Sequence, residues 1–184
     1  MPRKPDPTLE TRILNAARKL WIRGGDNALS MREVARAAKT NTPAIYRRFR
    51  NRKDILRALL RQIQEDLYQF LQLCTSPEEL AQRVFEFAMT HQREYELVTA
   101  GLISRMNEPQ PNYDFVKRQT AKWLGGSPEE HTRLVLAIWT VVHGTALLLI
   151  TKTVPKEGEA ALRSVFPATI EVLVKNRIAL SGKA

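Results

Sequence analysis

At 184 residues and 43% hydrophobic side chains, the chain suits one domain, or a small domain joined to a larger one, with enough apolar content for a real core. Its net charge of +10 sits wholly in residues 1–53, which carry 14 Lys or Arg against 4 Asp or Glu, whereas residues 54–184 balance at 15 of each sign. The lone Cys74 excludes an internal disulfide and a cysteine metal cluster, which suits a reducing cytoplasm, and the polar N-terminus has no apolar signal core.

Residues 1–7, MPRKPDP, read as a disordered arm whose Arg3 and Lys4 are placed to reach a minor groove or to do nothing specific. A first helix is predicted from about Thr8 to Arg23, with Ile13, Ala16, Ala17, Leu20 and Trp21 as its apolar stripe and Gly24-Gly25 as its stop. Ser30 then caps a second helix, and Glu33 three residues later completes a capping box. Val34, Ala35 and Ala38 give that helix a narrow apolar face that another helix can approach closely. Lys39-Thr40-Asn41 forms the turn. Asn41 or Thr42 caps a third helix with Pro43 in its first turn, where a missing amide costs little. Ile45 and Phe49 face inward, while Thr42, Ala44, Arg47 and Arg48 are expected on the outer side. A short helix with an apolar back and a cationic front fits the major groove of DNA. The charge excess around it points to a polyanion partner, against the alternative of a solubilising surface.

A fourth helix is predicted from Asn51, with Asp54 at its third position, to about Cys74, its apolar residues Leu56, Leu59, Leu60, Ile63, Leu67, Phe70 and Leu71 keeping the helical period. Its 22 or so residues span roughly 33 Å and connect the two halves of the chain. Ser76-Pro77-Glu78-Glu79 opens the next helix, carried by Leu80, Val84, Phe87 and Ala88 toward His91. Tyr95 to Ile103 is helical and residues 105–111 break it. Tyr113 to Leu124 follows, ending at Gly125-Gly126. The cap signature recurs as Ser127-Pro128-Glu129-Glu130 and is expected to open the longest apolar helix, through about Thr151. Residues 155–158 read as a loop, and the last helix runs from about Glu159 to Leu180. No stretch alternates with period two. The fold class is therefore all-α, about nine helices: an N-terminal three-helix helix-turn-helix DNA-binding domain over 1–53, joined by a long helix to a helical domain over 54–184.

Leu134 to Ile150 is the most apolar run. At 17 residues it lies at the short edge of a membrane span, and His143 and Gly144 interrupt it. A helix buried in a bundle and at a subunit interface accounts for it better. The last two long helices carry more apolar surface than a monomer of this size covers, so a homodimer pairing about 127–151 and 159–180 into a four-helix interface is expected. Two reading helices related by a two-fold then address both halves of a palindrome about one turn apart.

The residues Val34-Ala35-x-x-Ala38, Thr42-Pro43-Ala44-Ile45-Tyr46-Arg47-Arg48-Phe49 and Asn51-Arg52 ahead of Ile55-Leu56 resemble the TetR-type transcriptional regulators. The resemblance covers about residues 8–60. Lys39 stands where that family usually has a turn glycine, Arg48 where it has histidine or tyrosine, and Arg52 where it has lysine. A side chain at 39 must tolerate what is often a left-handed conformation. Trp139-x-x-x-His143-Gly144 is similar to a tryptophan-histidine-glycine signature of one subgroup's C-terminal domains; close packing at Gly144 explains it equally well. The resemblance implies a homodimeric repressor released from a palindromic operator by a small molecule held among the middle helices. Candidate DNA contacts, by chemistry and by this match, are Ser30 (mainly a cap), Arg32 and Arg48 (guanine edges or phosphates), and Thr42, Pro43 and Ala44 at the helix start. Tyr46 and Arg52 match phosphate-binding positions, and Arg47 stays ambiguous. Candidate effector-lining residues are Phe87, His91, Tyr95, Met106, Trp123, Trp139 and His143, each of which core packing explains as well. His91, Glu94 and His131 do not form a recognised metal spacing, so no metal and no cofactor are assigned. No phosphate-binding glycine loop or nucleophile pair suggests an enzyme. The alternatives are a nonregulatory nucleoid or segregation protein on the same fold, and a membrane-surface helical protein.

Overall fold

The computed structural model describes residues 6–103 and 111–181. Met106 and the arm residues Arg3 and Lys4 lie outside them. All ten regular elements among the described residues, a single 3-10 turn aside, are α-helices: α1 Leu9–Ala28, α2 Met31–Ala37, α3 Thr42–Tyr46, α4 Arg52–Leu71, α5 Pro77–Thr90, α6 Gln92–Ile103, α7 Pro111–Leu124, α8 Thr132–Ile150, α9 Lys156–Lys175 and α10 Arg177–Ser181. They form two compact units. One takes residues 6–65 and 93–103, the other 66–92 and 111–181. Residues 93–103, expected on the C-terminal side of a boundary at 53, thus group with the N-terminal helices.

In the first unit, α1 buries Ile13, Ala16, Ala17, Leu20 and Trp21. Its regular geometry breaks at Gly24 and Gly25, and Gly25, buried at φ +56° and ψ −138°, holds a conformation closed to other residues. The chain re-coils to Ala28, so the glycines kink the element rather than end it. Leu29, Val34, Ile45, Phe49, Ile55 and Leu59 complete the core with α2, α3 and α4. Ile13, Ile45, Ile55 and Leu59 are fully buried, each worth roughly 1.5–3 kcal/mol. α6 is fastened here by polar contacts. The Trp21 indole donates to the Arg93 carbonyl at 2.5 Å, and Arg18 pairs with Glu94, which is 2% exposed.

In the second unit, α8 packs against α9, α5 and α7. Its buried residues Leu134, Val135, Ile138, Val142, Thr145, Ala146 and Leu149 recur at helical spacing, so one face serves the monomer's core. Phe85 stacks on Phe166 with ring centroids 4.4 Å apart, and Tyr68 meets Phe115 edge-on at 4.8 Å. Residues 128–150 are long and apolar enough to cross a bilayer by length and composition alone, an 18-residue stretch within them having mean hydropathy 1.9. Ser76 caps α5 as expected, its hydroxyl accepting from the Glu79 amide at 3.1 Å, while the Glu79 carboxylate reaches back to Thr75.

The matching signature at Ser127 behaves differently. Its hydroxyl makes no cap bond, residues Pro128–His131 form a 3-10 turn, and α8 starts only at Thr132. His131 Nε2 lies 2.7 Å from the Gly125 carbonyl, which tightens the chain against the end of α7 in place of the expected cap. The expected loop at 155–158 is mostly helix, because Pro155 supplies an extended N-cap and Glu157 and Glu159 complement the first turn of α9. α9 carries Pro167 in its interior and ends at Lys175, before α10 begins at Arg177, so the single expected last helix is two.

Candidate nucleic-acid interface

Three short segments present the candidate residues, and local chemistry sets each. Ser30 adopts extended backbone and its hydroxyl accepts from the Glu33 amide at 3.2 Å. Glu33 does not reach back to complete a capping box; its carboxylate pairs with Arg36 instead. α2 ends in a Schellman-type closure, the Thr40 amide donating to the Ala35 carbonyl at 3.0 Å, with Lys39 at φ +52°. That left-handed backbone costs a non-glycine residue about 1–2 kcal/mol. Asn41 then caps α3, its side-chain oxygen accepting from the Ala44 amide at 2.9 Å.

α3 buries Ala44 and Ile45, and Phe49 follows one turn later. Ala44 is 4% exposed, so it does not face outward as expected. Ala44 adjoins Ile45 on the inner side of the helix, and the spacing that turns Pro43, Tyr46 and Arg47 outward turns Ala44 in. Thr42 is half-buried, while Pro43, Tyr46, Arg47 and Arg48 are exposed. One Arg48 guanidinium nitrogen donates to the Asp6 carbonyl at 3.1 Å, an uncharged acceptor that leaves the charge of Arg48 unneutralised. Asp6 also ties the start of α1. Its carboxylate accepts from Thr8 and pairs with Arg12 at 2.9 Å, and these bonds, those from Thr8 foremost, hold its carboxyl below the usual range.

Arg52 occupies another role. Its guanidinium donates to the Leu29 carbonyl at 2.7 Å and to the Asp26 carbonyl at 3.0 Å, and pairs with the Asp26 carboxylate. It clamps the segment leading into α2 onto the start of α4. Asp26 gives no signal in the sequence beyond being an acid in an otherwise basic third.

The remaining cations divide sharply by pairing. Arg12, Arg18, Arg36, Arg52 and Arg57 each meet a carboxylate. Arg32, Lys39, Arg47, Arg50 and Lys53 are exposed and, among the described residues, their side chains have neither an ion pair nor a hydrogen bond. Unneutralised charge thus lies on α2, the turn and the residues from α3 to the start of α4, and also on Lys19 and Arg23 of α1 and Arg61 of α4.

Of the expected effector residues, Met106 lies outside the described residues, and the other six lie along the chain from α5 to α8. Phe87 is buried and stacks on the exposed His91 ring at 4.8 Å, the His91 Nδ1 lying 2.8 Å from the Thr90 hydroxyl. Tyr95 is buried within the first unit, where burial pushes its phenol up to about 12. Trp123 is half-buried on α7. Trp139 is exposed on α8, its ring 6.2 Å from that of the half-buried His143, whose imidazole burial holds below its ordinary value. A cleft of about 270 Å³ between α5 and α9, lined by Glu78, Glu79, Gln82, Phe166, Pro167 and Ile170, includes none of them.

Residues 13–59 match the model of the bacterial regulatory proteins, tetR family, which places that family's N-terminal domain over the helix-turn-helix. No curated protein sequence matches the chain. Among solved structures, TetR from Acinetobacter baumannii AYE is similar with a TM-score of 0.71 at 18% identity, over 97% of this chain and 99% of that one. A variant of that TetR in complex with minocycline gives 0.69 at 17% identity, over 98% and 100%. The multidrug binding protein EbrR complexed with ethidium gives 0.62 at 23% identity, over 92% and 99%. These matches do not confirm the tryptophan-histidine-glycine subgroup.

Proposed function

We propose that this protein is a sequence-specific DNA-binding transcriptional regulator. It acts in the cytoplasm as a homodimeric repressor that binds a palindromic operator and is released by a small molecule. The observation that carries the reading is the set of exposed, unneutralised cations, Arg32, Arg47 and Arg48 foremost, on a helix-turn-helix whose apolar backs are buried. Cations left unpaired beside one another repel, and a phosphate backbone relieves that repulsion while releasing counterions. Pro43, Tyr46 and Arg47 form the outer face that enters the major groove.

The dimer rests on a second exposed surface. Leu136, Trp139 and Leu148 of α8 and Val165 and Val172 of α9 are all at least 38% exposed. A matching copy covers both helices with one two-fold axis. Effector response is supported by what the similar proteins hold, minocycline in one and ethidium in another. The Phe87–His91 pair and Trp123 are the positions to vary for it here.

The first test is selection from sheared genomic DNA by the purified protein at about physiological salt. Recovery of a few fragments sharing an inverted repeat is expected, and the neighbouring genes then nominate effectors for release assays. Recovery of all fragments, lost on modest added salt, would instead mean charge-driven, architectural binding.

A further inference from the structure

Lys39 is an outlier that the DNA-reading residues do not explain. It holds the left-handed conformation at the end of α2, at φ +52°, with its own amide donating to the Arg36 carbonyl at 3.2 Å and the next amide to Ala35. Glycine is the residue this closure favours, because a Cβ there crowds the following carbonyl. Of the three turn residues, Asn41 is committed to capping α3 and Thr40 is half-buried. Lys39 alone presents an exposed charged head, with no intramolecular partner among the described residues.

Left-handed backbone does not by itself single out Lys39. Lys152 closes α8 in the same way, at φ +53°, with the Thr153 amide donating to the Leu148 carbonyl at 3.2 Å. What distinguishes Lys39 is its position in the turn between α2 and α3, within the group of unpaired cations that includes Arg32 and Arg47. In a docked helix-turn-helix the first helix crosses the sugar-phosphate backbone, which brings the turn close to it. An ammonium on a flexible stem suits a phosphate, not a base edge, because it offers a point charge rather than a planar fork.

We propose that Lys39 is a DNA-backbone contact, a lysine in a glycine position whose ammonium adds sequence-independent affinity through one phosphate per subunit. The inference rests on the DNA-binding reading above. It assigns a role that neither the cap chemistry nor base recognition supplies.

The test needs no operator. Binding of the full chain to a random-sequence duplex is followed by fluorescence anisotropy over a salt series, for wild type, Lys39→Gly, Lys39→Asn, Lys39→Arg and, as an internal control, Lys152→Gly. Circular dichroism checks the fold and thermal midpoint of each. Removing one phosphate contact lowers the slope of log affinity against log salt by about 0.9 per subunit. Equivalently, the loss of affinity between about 50 and 200 mM salt shrinks about 3- to 4-fold per contact. Lys39→Gly and Lys39→Asn are expected to show that change with an equal or higher thermal midpoint, and Lys39→Arg to retain the wild-type slope. Lys152→Gly is expected to raise the midpoint and leave the slope alone. A wild-type slope in Lys39→Gly, with DNA still bound, overturns the inference and leaves the regulator reading standing. Absence of salt-dependent binding by wild type overturns both.

Discussion

Arg18 and Glu94, 76 residues apart, form an ion pair with Arg18 Nε 2.5 Å from Glu94 Oε1, and Glu94 is 2% exposed. Removing one partner of such a pair leaves a charge without compensation. Replacing both removes the desolvation cost along with the attraction. Arg18 keeps about a quarter of its side chain in water, which moderates the penalty. Glu94→Ala is therefore expected to destabilise by about 2–4 kcal/mol in chemical denaturation. The double variant Arg18→Met with Glu94→Leu is expected to recover most of that loss. Equal loss in the single and double variants would mean that packing, not charge pairing, fastens α6.

Arg48 and Arg52 are expected to separate in function. Arg48 keeps an unneutralised charge beside α3, whereas Arg52 is tied to Leu29 and Asp26. Arg52→Ala is expected to cost about 1–2 kcal/mol of stability through the lost bonds to the Leu29 and Asp26 carbonyls. Arg48→Ala is expected to leave stability nearly unchanged and to lower preference for operator over random duplex. Thermal denaturation alongside binding to both duplexes checks the pair. Equal loss on both duplexes for both variants would remove Arg48 from base recognition.

The exposed apolar face of α9 gives a third expectation. Val172→Lys places a charge where two copies are proposed to meet, at a residue 57% exposed in the monomer. Sedimentation is expected to show monomer at concentrations where wild type is dimeric, with an unchanged helical spectrum. The footprint on the operator should weaken at least tenfold, because each half-site alone binds poorly. An unchanged dimer would place the interface elsewhere.

Tyr95 sets a pH limit. Burial holds the phenol neutral up to about 12, against an ordinary value of 10 in the unfolded chain. Between those values the unfolded chain releases the proton first, so stability is fully present below pH 10 and declines as pH rises toward 12. The decline amounts to roughly 2–3 kcal/mol from this group. Lysines titrate in the same window, so Tyr95→Phe is the control: its denaturation midpoint should fall less steeply over that range. Parallel profiles would assign the effect to other groups.

Much of the reading head is legible from residue types alone, because caps act locally. Ser30, Asn41 and Ser76 each accept the amide three residues on, and the anomaly at Lys39 is visible as a side chain where a glycine is wanted. Ser127 carries the same four-residue signature as Ser76 and forms no cap, so a signature specifies an opportunity that the next turn of chain decides. The burial of Ala44 is less legible, because a five-residue helix is too short to show its period and burial depends on what packs behind it. The grouping of α6 with the N-terminal helices has no local signal at all. An apolar face says that a helix is covered but not by which partner, and an acid such as Glu94 reads as surface until Arg18 is seen beside it. The effector residues remain the least legible, since an aromatic on a helix stripe serves core and pocket alike.

The first unit is interrupted in sequence: residues 66–92 belong to the other unit and separate α6 from the helices it completes. Excising the reading head at residue 53 or 65 therefore takes Glu94 from Arg18 and the Arg93 carbonyl from the Trp21 indole. During synthesis the same interruption becomes a delay. At about 5–20 residues per second, Glu94 is added roughly 4–15 s after Arg18. A nascent chain thus passes through a period in which the helix-turn-helix is present but its last strut is not. Fragments that stop short of α6 should be the ones that proteases and chaperones engage.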